Sequence, residues 1–85
     1  MASWEKLLAK AKAGPHNLTF RELCRLLEKF GFTARPQAGT SHVSFKHPKV
    51  PEVLTVQRGK HGKAKAWQVK LLLNWIESYE LDTSD

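Results

Sequence analysis

The chain has 85 residues, enough for one modest core burying roughly 60–65% of the unfolded surface and too few for a second module. Its 41% apolar and 26% charged content excludes a disordered chain, and its single cysteine, Cys24, excludes an internal disulfide or a cysteine-based zinc site and fits a reducing compartment. A formal net charge of +6 and a pI near 9.8 suit a phosphate-rich partner.

Between Met1 and Gly14, Glu5, Lys6, Lys10 and Lys12 interrupt the apolar residues, so no signal-peptide block is present. No run approaches the ~18–20 apolar residues that cross a bilayer, and a cytoplasmic protein without membrane contact is expected. Trp4, Leu7, Leu8 and Ala11 share one face at helical spacing, predicting a helix over 4–12 that Gly14-Pro15 stops. A second helix begins at Thr19, which has capping-box spacing to Glu22. Its apolar stripe is Phe20, Leu23, Cys24, Leu26, Leu27 and Phe30, with Gly31 placed to end it. Cys24 on that stripe reads as a small hydrophobe rather than a nucleophile.

Three strand-like runs follow: 32–37, 41–47 and 52–58. Ala38-Gly39-Thr40 is short enough for a hairpin turn, and the two prolines of Pro48-Lys49-Val50-Pro51 are expected to keep that connection out of the sheet. Alternation places Val43 and Phe45, with Leu54 and Val56, on the face that the helices cover. His42, Ser44 and Lys46 then point to the open face, with Thr55 and Gln57 as neighbours. Histidine is the one side chain whose ordinary titration lies near neutral pH, which makes His42 the first candidate for proton transfer on a bound polyanion. His42 and His47 are an odd number of residues apart on a strand and face opposite sides, a poor arrangement for one metal ion, so no metal site is expected.

From Lys46 to Lys65 the cations far outnumber the one acid, Glu52. Within this stretch, 58–65 reads as a flexible, glycine-bearing basic loop leading into a last helix over about 67–79. Such a loop offers ammonium groups, backbone N–H groups and the positive end of a helix to a phosphate; the plainer alternative is a solvated charge run. The last helix is apolar on too many sides for a single sheet to cover. Trp67, Leu71 and Trp75 are therefore candidates for contact with a partner protein or a second copy, unless the first helix folds over Trp67 and Leu71. The acidic tail, 80–85, is expected to fray.

Taken in order, Phe30-Gly31-Phe32, Gly39-Thr40-Ser41-His42, Phe45-Lys46-His47-Pro48, Val56-Gln57, Gly62-Lys63-Ala64-Lys65 and Gln68-Val69 resemble the pattern of the HicA toxin family. The resemblance covers about 18–80, with 1–14 as a helical extension of a single HicA-like domain. It implies an α+β fold like that of double-stranded-RNA-binding domains: a three-stranded antiparallel sheet with helices on one face, in the order α-α-β-β-β-α. It also implies an endoribonuclease acting on mRNA and restrained by a cognate antitoxin of the HicB type. The essential histidine of the family maps to His42 and its adjacent glycine to Gly39. Two departures stand out: Thr40 is inserted before Ser41, and Val43 stands where a second histidine often follows the first.

RNA is cleaved without cofactor or metal when a base takes the 2′-OH proton, cations stabilise the charge at phosphorus, and an acid protonates the leaving 5′-oxygen. His42 is assigned the proton transfer. Lys46, Arg58, Lys60, Lys63 and Lys65 are candidates for phosphate binding, with Gly39, Ser41 and Ser44 lining the RNA. His47 or His61 could serve as the acid only if the fold brought it beside His42. The competing reading is a non-catalytic module gripping double-stranded RNA through the same frame without using His42.

Overall fold

The computed structural model describes residues 3–36, 42–57 and 60–83. Helix α1 (Trp4–Ala13) is capped by Ser3, whose hydroxyl accepts from the Lys6 N–H, and it ends at Gly14. A 3₁₀ turn, Pro15–Asn17, leads to helix α2 (Phe20–Lys29). The predicted capping box is formed: Thr19 Oγ1 accepts from the Glu22 N–H at 3.1 Å, and Glu22 Oε1 accepts from the Thr19 N–H at 2.9 Å. Lys10 Nζ lies 3.0 Å from the same carboxylate and ties α1 to the start of α2. Partial burial pushes the Glu22 carboxyl up, but the Thr19 N–H and the Lys10 ammonium outweigh it and hold the group below its ordinary value.

Helix α2 ends in a Schellman arrangement: the Phe32 N–H donates to Leu27 O, the Gly31 N–H donates to Glu28 O, and Gly31 takes φ +93°. The same pair of bonds closes helix α3 (Ala66–Ser78), from Leu81 to Ile76 and from Glu80 to Glu77, but there the left-handed position is held by Glu80 at φ +51°. A side chain at that conformation costs about 1 kcal/mol relative to glycine. Glu80→Gly is therefore expected to raise stability by about 1 kcal/mol, moving a thermal midpoint up by roughly 4–8 °C. Urea titration of both proteins measures it, and an unchanged midpoint would remove strain at Glu80 as a factor. Leu81 is buried, so the tail does not fray from residue 80 as its composition suggested; the Schellman turn packs it onto the core through Leu81.

The sheet runs β1 (Thr33–Pro36), β2 (Val43–His47), β3 (Val50–Val56), antiparallel throughout and in that spatial order. Ser44 stands opposite both Arg35 and Thr55, and Phe45 opposite both Ala34 and Leu54. One expectation fails at the second connection: β3 begins at Val50, which pairs with His47 across a tight Pro48-Lys49 turn, so Pro51 lies inside the strand. β3 is an edge, where the N–H that proline lacks is not needed by the sheet, and the register shift between Phe45 and His47 absorbs the irregularity.

Helices line one face of this sheet. Phe45, Leu54 and Val56 join Leu23, Leu26 and Leu27 of α2 and Val69 and Leu72 of α3 in one buried cluster, to which α1 adds Leu7 and Ala11. Trp75, expected on the uncovered side of α3, is only 3% exposed and stacks on Phe32 with centroids 6.0 Å apart. It is a core residue and is not available as a surface contact. Leu71 is half-buried against the core, whereas Trp67 is 57% exposed, so α1 does not hide it. Among the described residues no helix is long and apolar enough to cross a membrane.

Candidate active site

His42 immediately precedes β2, and alternation along the strand puts it on the same side as Ser44 and Lys46, away from the helices. The pairing of Val43 with Val56 sets Gln57 directly across from His42. The two side chains meet, with His42 Nε2 2.6 Å from Gln57 Oε1. One step along the same face, Ser44 Oγ lies 3.1 Å from Thr55 Oγ1. His42 and Ser44 thus both make cross-strand side-chain bonds, which holds their rotamers on the open face. Lys46 continues the row and is exposed.

The bond to Gln57 also orients the imidazole chemically. With a carbonyl oxygen facing Nε2, the neutral ring carries its proton there, and the basic lone pair resides on Nδ1. Gln57 is itself placed by the end of β3, which α3 secures from its edge: the amide of buried Gln68, in the first turn of α3, donates to Thr55 O at 3.1 Å. Gln68 Oε1 finds no hydrogen-bond partner among the described residues.

His47 is on the other side of the sheet, where its ring lies 5.0 Å from that of Phe32 and its Nδ1 accepts from the Lys49 N–H at 2.9 Å. That placement removes it as an acid beside His42. His61 is exposed and sits at φ +57° in the 3₁₀ turn Lys60–Gly62. Gly39, Ser41 and Arg58 lie outside the described residues, as does the side chain of Lys60.

The end of the basic segment is not the flexible loop that its glycines suggested. Lys63 forms a bridge with Thr19, the Ala64 N–H donates to Leu18 O, and Ala64 is buried. The ammonium of exposed Lys63 is therefore presented from a backbone pinned to the start of α2. Lys65 follows as the residue preceding α3, without a side-chain cap at that helix end. Among the described residues, no group of three His, Cys, Asp or Glu side chains converges as metal ligands.

Residues 20–74, from the start of α2 to within the last turns of α3, match the family model of the HicA toxin of bacterial toxin-antitoxin. The chain belongs to the HicA toxin family. No curated protein and no solved structure matches it. Membership makes this HicA-family chain the toxin component of a toxin–antitoxin pair, with a cognate antitoxin as its partner. The matched span contains the whole sheet and both the His42–Gln57 and Ser44–Thr55 pairs, whereas α1 precedes it.

Sequence reasoning reached His42, Ser44, Lys46 and their neighbours Thr55 and Gln57. It did not reach Arg35, which only the β1–β2 register sets across from Ser44, nor exposed Val53 on β3. Alternation along each strand assigned the faces, but which residues of different strands adjoin depends on register, which alternation alone does not give.

Proposed function

We propose that this toxin is a metal-independent endoribonuclease that cleaves mRNA, with His42 as the proton-transfer residue. The observation that carries the reading is the His42–Gln57 pair: an imidazole held on the open face of a basic sheet, its Nε2 proton directed to an amide oxygen. Nδ1 accepts the proton of a ribose 2′-OH, the freed oxygen attacks the adjacent phosphorus, and the P–O5′ bond breaks. The products are a 2′,3′-cyclic phosphate and a 5′-hydroxyl, the leaving oxygen taking its proton from water. Lys46, Lys60, Lys63 and Lys65, with Arg58, hold the phosphates and offset the added charge; Ser44, with Ser41 and Gly39 before the strand, borders the reacting nucleotide. The exposed Trp67, with Leu71 one turn on, is the surface offered to the antitoxin.

The test is incubation of labelled single-stranded RNA with the purified protein in excess EDTA, with the product ends analysed. Cleavage leaving 2′,3′-cyclic or 3′-phosphate ends is expected. Intact RNA that is nevertheless bound would turn the reading to a non-catalytic RNA-binding module.

Gln57 supplies a second test. Gln57→Glu sets a carboxylate against the ring and favours the imidazolium, so a base that must be unprotonated becomes available only at higher pH. The acid-side limb of the rate profile is expected to move to higher pH. A limb that stays in place would mean that the ring held by Gln57 is not the titrating base.

A further inference from the structure

Beyond Ser44 on the open face lies a groove of about 500 Å³ lined by Thr33, Arg35, Ser44, Lys46, Pro48 and Val53. It is built by all three strands and their second turn, and none of its lining residues is acidic. Arg35 faces Ser44, and Thr33 faces Lys46, so the two cations are diagonal neighbours on adjacent strands, about 7–8 Å apart at the backbone. Neither cation pairs with an acid among the described residues. The far wall is apolar: Val53 is 52% exposed, and Pro48 lies beside it in the turn.

We propose that this groove is a subsite for single-stranded RNA, binding the nucleotides next to the bond that His42 cleaves; the inference rests on the ribonuclease reading above. Continuity with the catalytic row decides the ligand. Ser44 belongs to both the groove and the row, and two residues along a strand cover only about 7 Å, so a chain bound at Lys46 and Arg35 leads directly to His42. Two cations without an acid partner among the described residues suit successive phosphates. The hydroxyls of Thr33 and Ser44 suit ribose and base edges, and Val53 with Pro48 gives an unstacked base an apolar surface. A cavity of this size admits splayed nucleotides rather than a duplex, whose recognition requires a surface extending over many base pairs.

The experiment uses a 2′-O-methyl RNA oligomer, which keeps the phosphates and bases but lacks the nucleophile and cannot be cleaved. Amide shifts are mapped by NMR on the full chain, and affinity is measured by anisotropy from low to moderate salt for wild type, Arg35→Ala/Lys46→Ala and Val53→Asp. All three substituted positions are exposed, so folding is not at stake. Shifts are expected at Thr33, Arg35, Lys46 and Val53. The double variant should lower the slope of log affinity against log salt by about 1.4, from about 0.7 per single-strand phosphate contact. Val53→Asp should weaken binding without shifting the oligomer elsewhere.

Shifts confined to the helical side, or an unchanged salt slope, would overturn the subsite. So would RNA binding that survives the double substitution while binding of the antitoxin is lost, which would make the groove a protein contact. The two readings fail separately. Groove shifts without cleavage of unmodified RNA would remove the ribonuclease and keep a single-strand binding site, whereas cleavage without groove shifts would do the reverse.

Discussion

His42→Ala is expected to lower RNA cleavage by about 10²–10⁴-fold, the range supplied by one positioned proton-transfer group, and to relieve growth inhibition when the toxin is expressed without its antitoxin. The same range sets the ceiling on the wild type under the proposed reading: among the described residues His42 is the one histidine on this face of the sheet and His47 is turned to the helices, so slow cleavage is expected. The substitution removes one cross-strand hydrogen bond at the end of the sheet, worth about 1 kcal/mol, so the variant should remain folded. Circular dichroism and antitoxin binding check that point, and the cleavage assay in EDTA reads the chemistry. Cleavage within a factor of a few of wild type would transfer the proton-transfer role away from His42.

The opposite face gives the largest stability effect. Phe45 is 1% exposed at the middle of the central strand, flanked by Ala34 and Leu54 and part of the buried cluster that residues of all three helices share. Phe45→Ala removes its buried area and leaves a cavity that neighbours on three elements cannot jointly collapse, costing about 3–5 kcal/mol. In a domain whose whole stability is about 5–15 kcal/mol, that is a large share, and the thermal midpoint is expected to fall by more than about 12 °C. Calorimetry of the two proteins measures it. A fall of only a few degrees would mean that the sheet and helices are packed less tightly than the structure has them.

Most of this architecture can be read from residue patterns because local signals agree with the global fold. Thr19 and Glu22 cap the helix they begin, Gly31 ends it, and alternation along 42–46 sorts open-face from core side chains. Readings failed where tertiary context overrode local chemistry, as three of them show. Pro51 sits in a strand because that strand is an edge; Trp75 is buried because Phe32 stacks on it; and the glycine-bearing basic segment is pinned at Lys63 and Ala64 by α2. None of those partners is within reach along the sequence. The groove was invisible for the same reason, since Arg35 and Lys46 become neighbours only through the register of β1 on β2.

The alternation of β2 also has a genetic consequence. Cells escaping a toxin must damage it, and this strand offers two routes one residue apart. Under the proposed ribonuclease reading, a change at 42, 44 or 46 is expected to silence the open face and leave a full-length product that accumulates, whereas a change at 45 is expected to remove the protein itself through unfolding and proteolysis. Survivors of a growth selection, sorted by immunoblot, should therefore divide along this strand with a period of two. The abundant class should carry its substitutions at even positions.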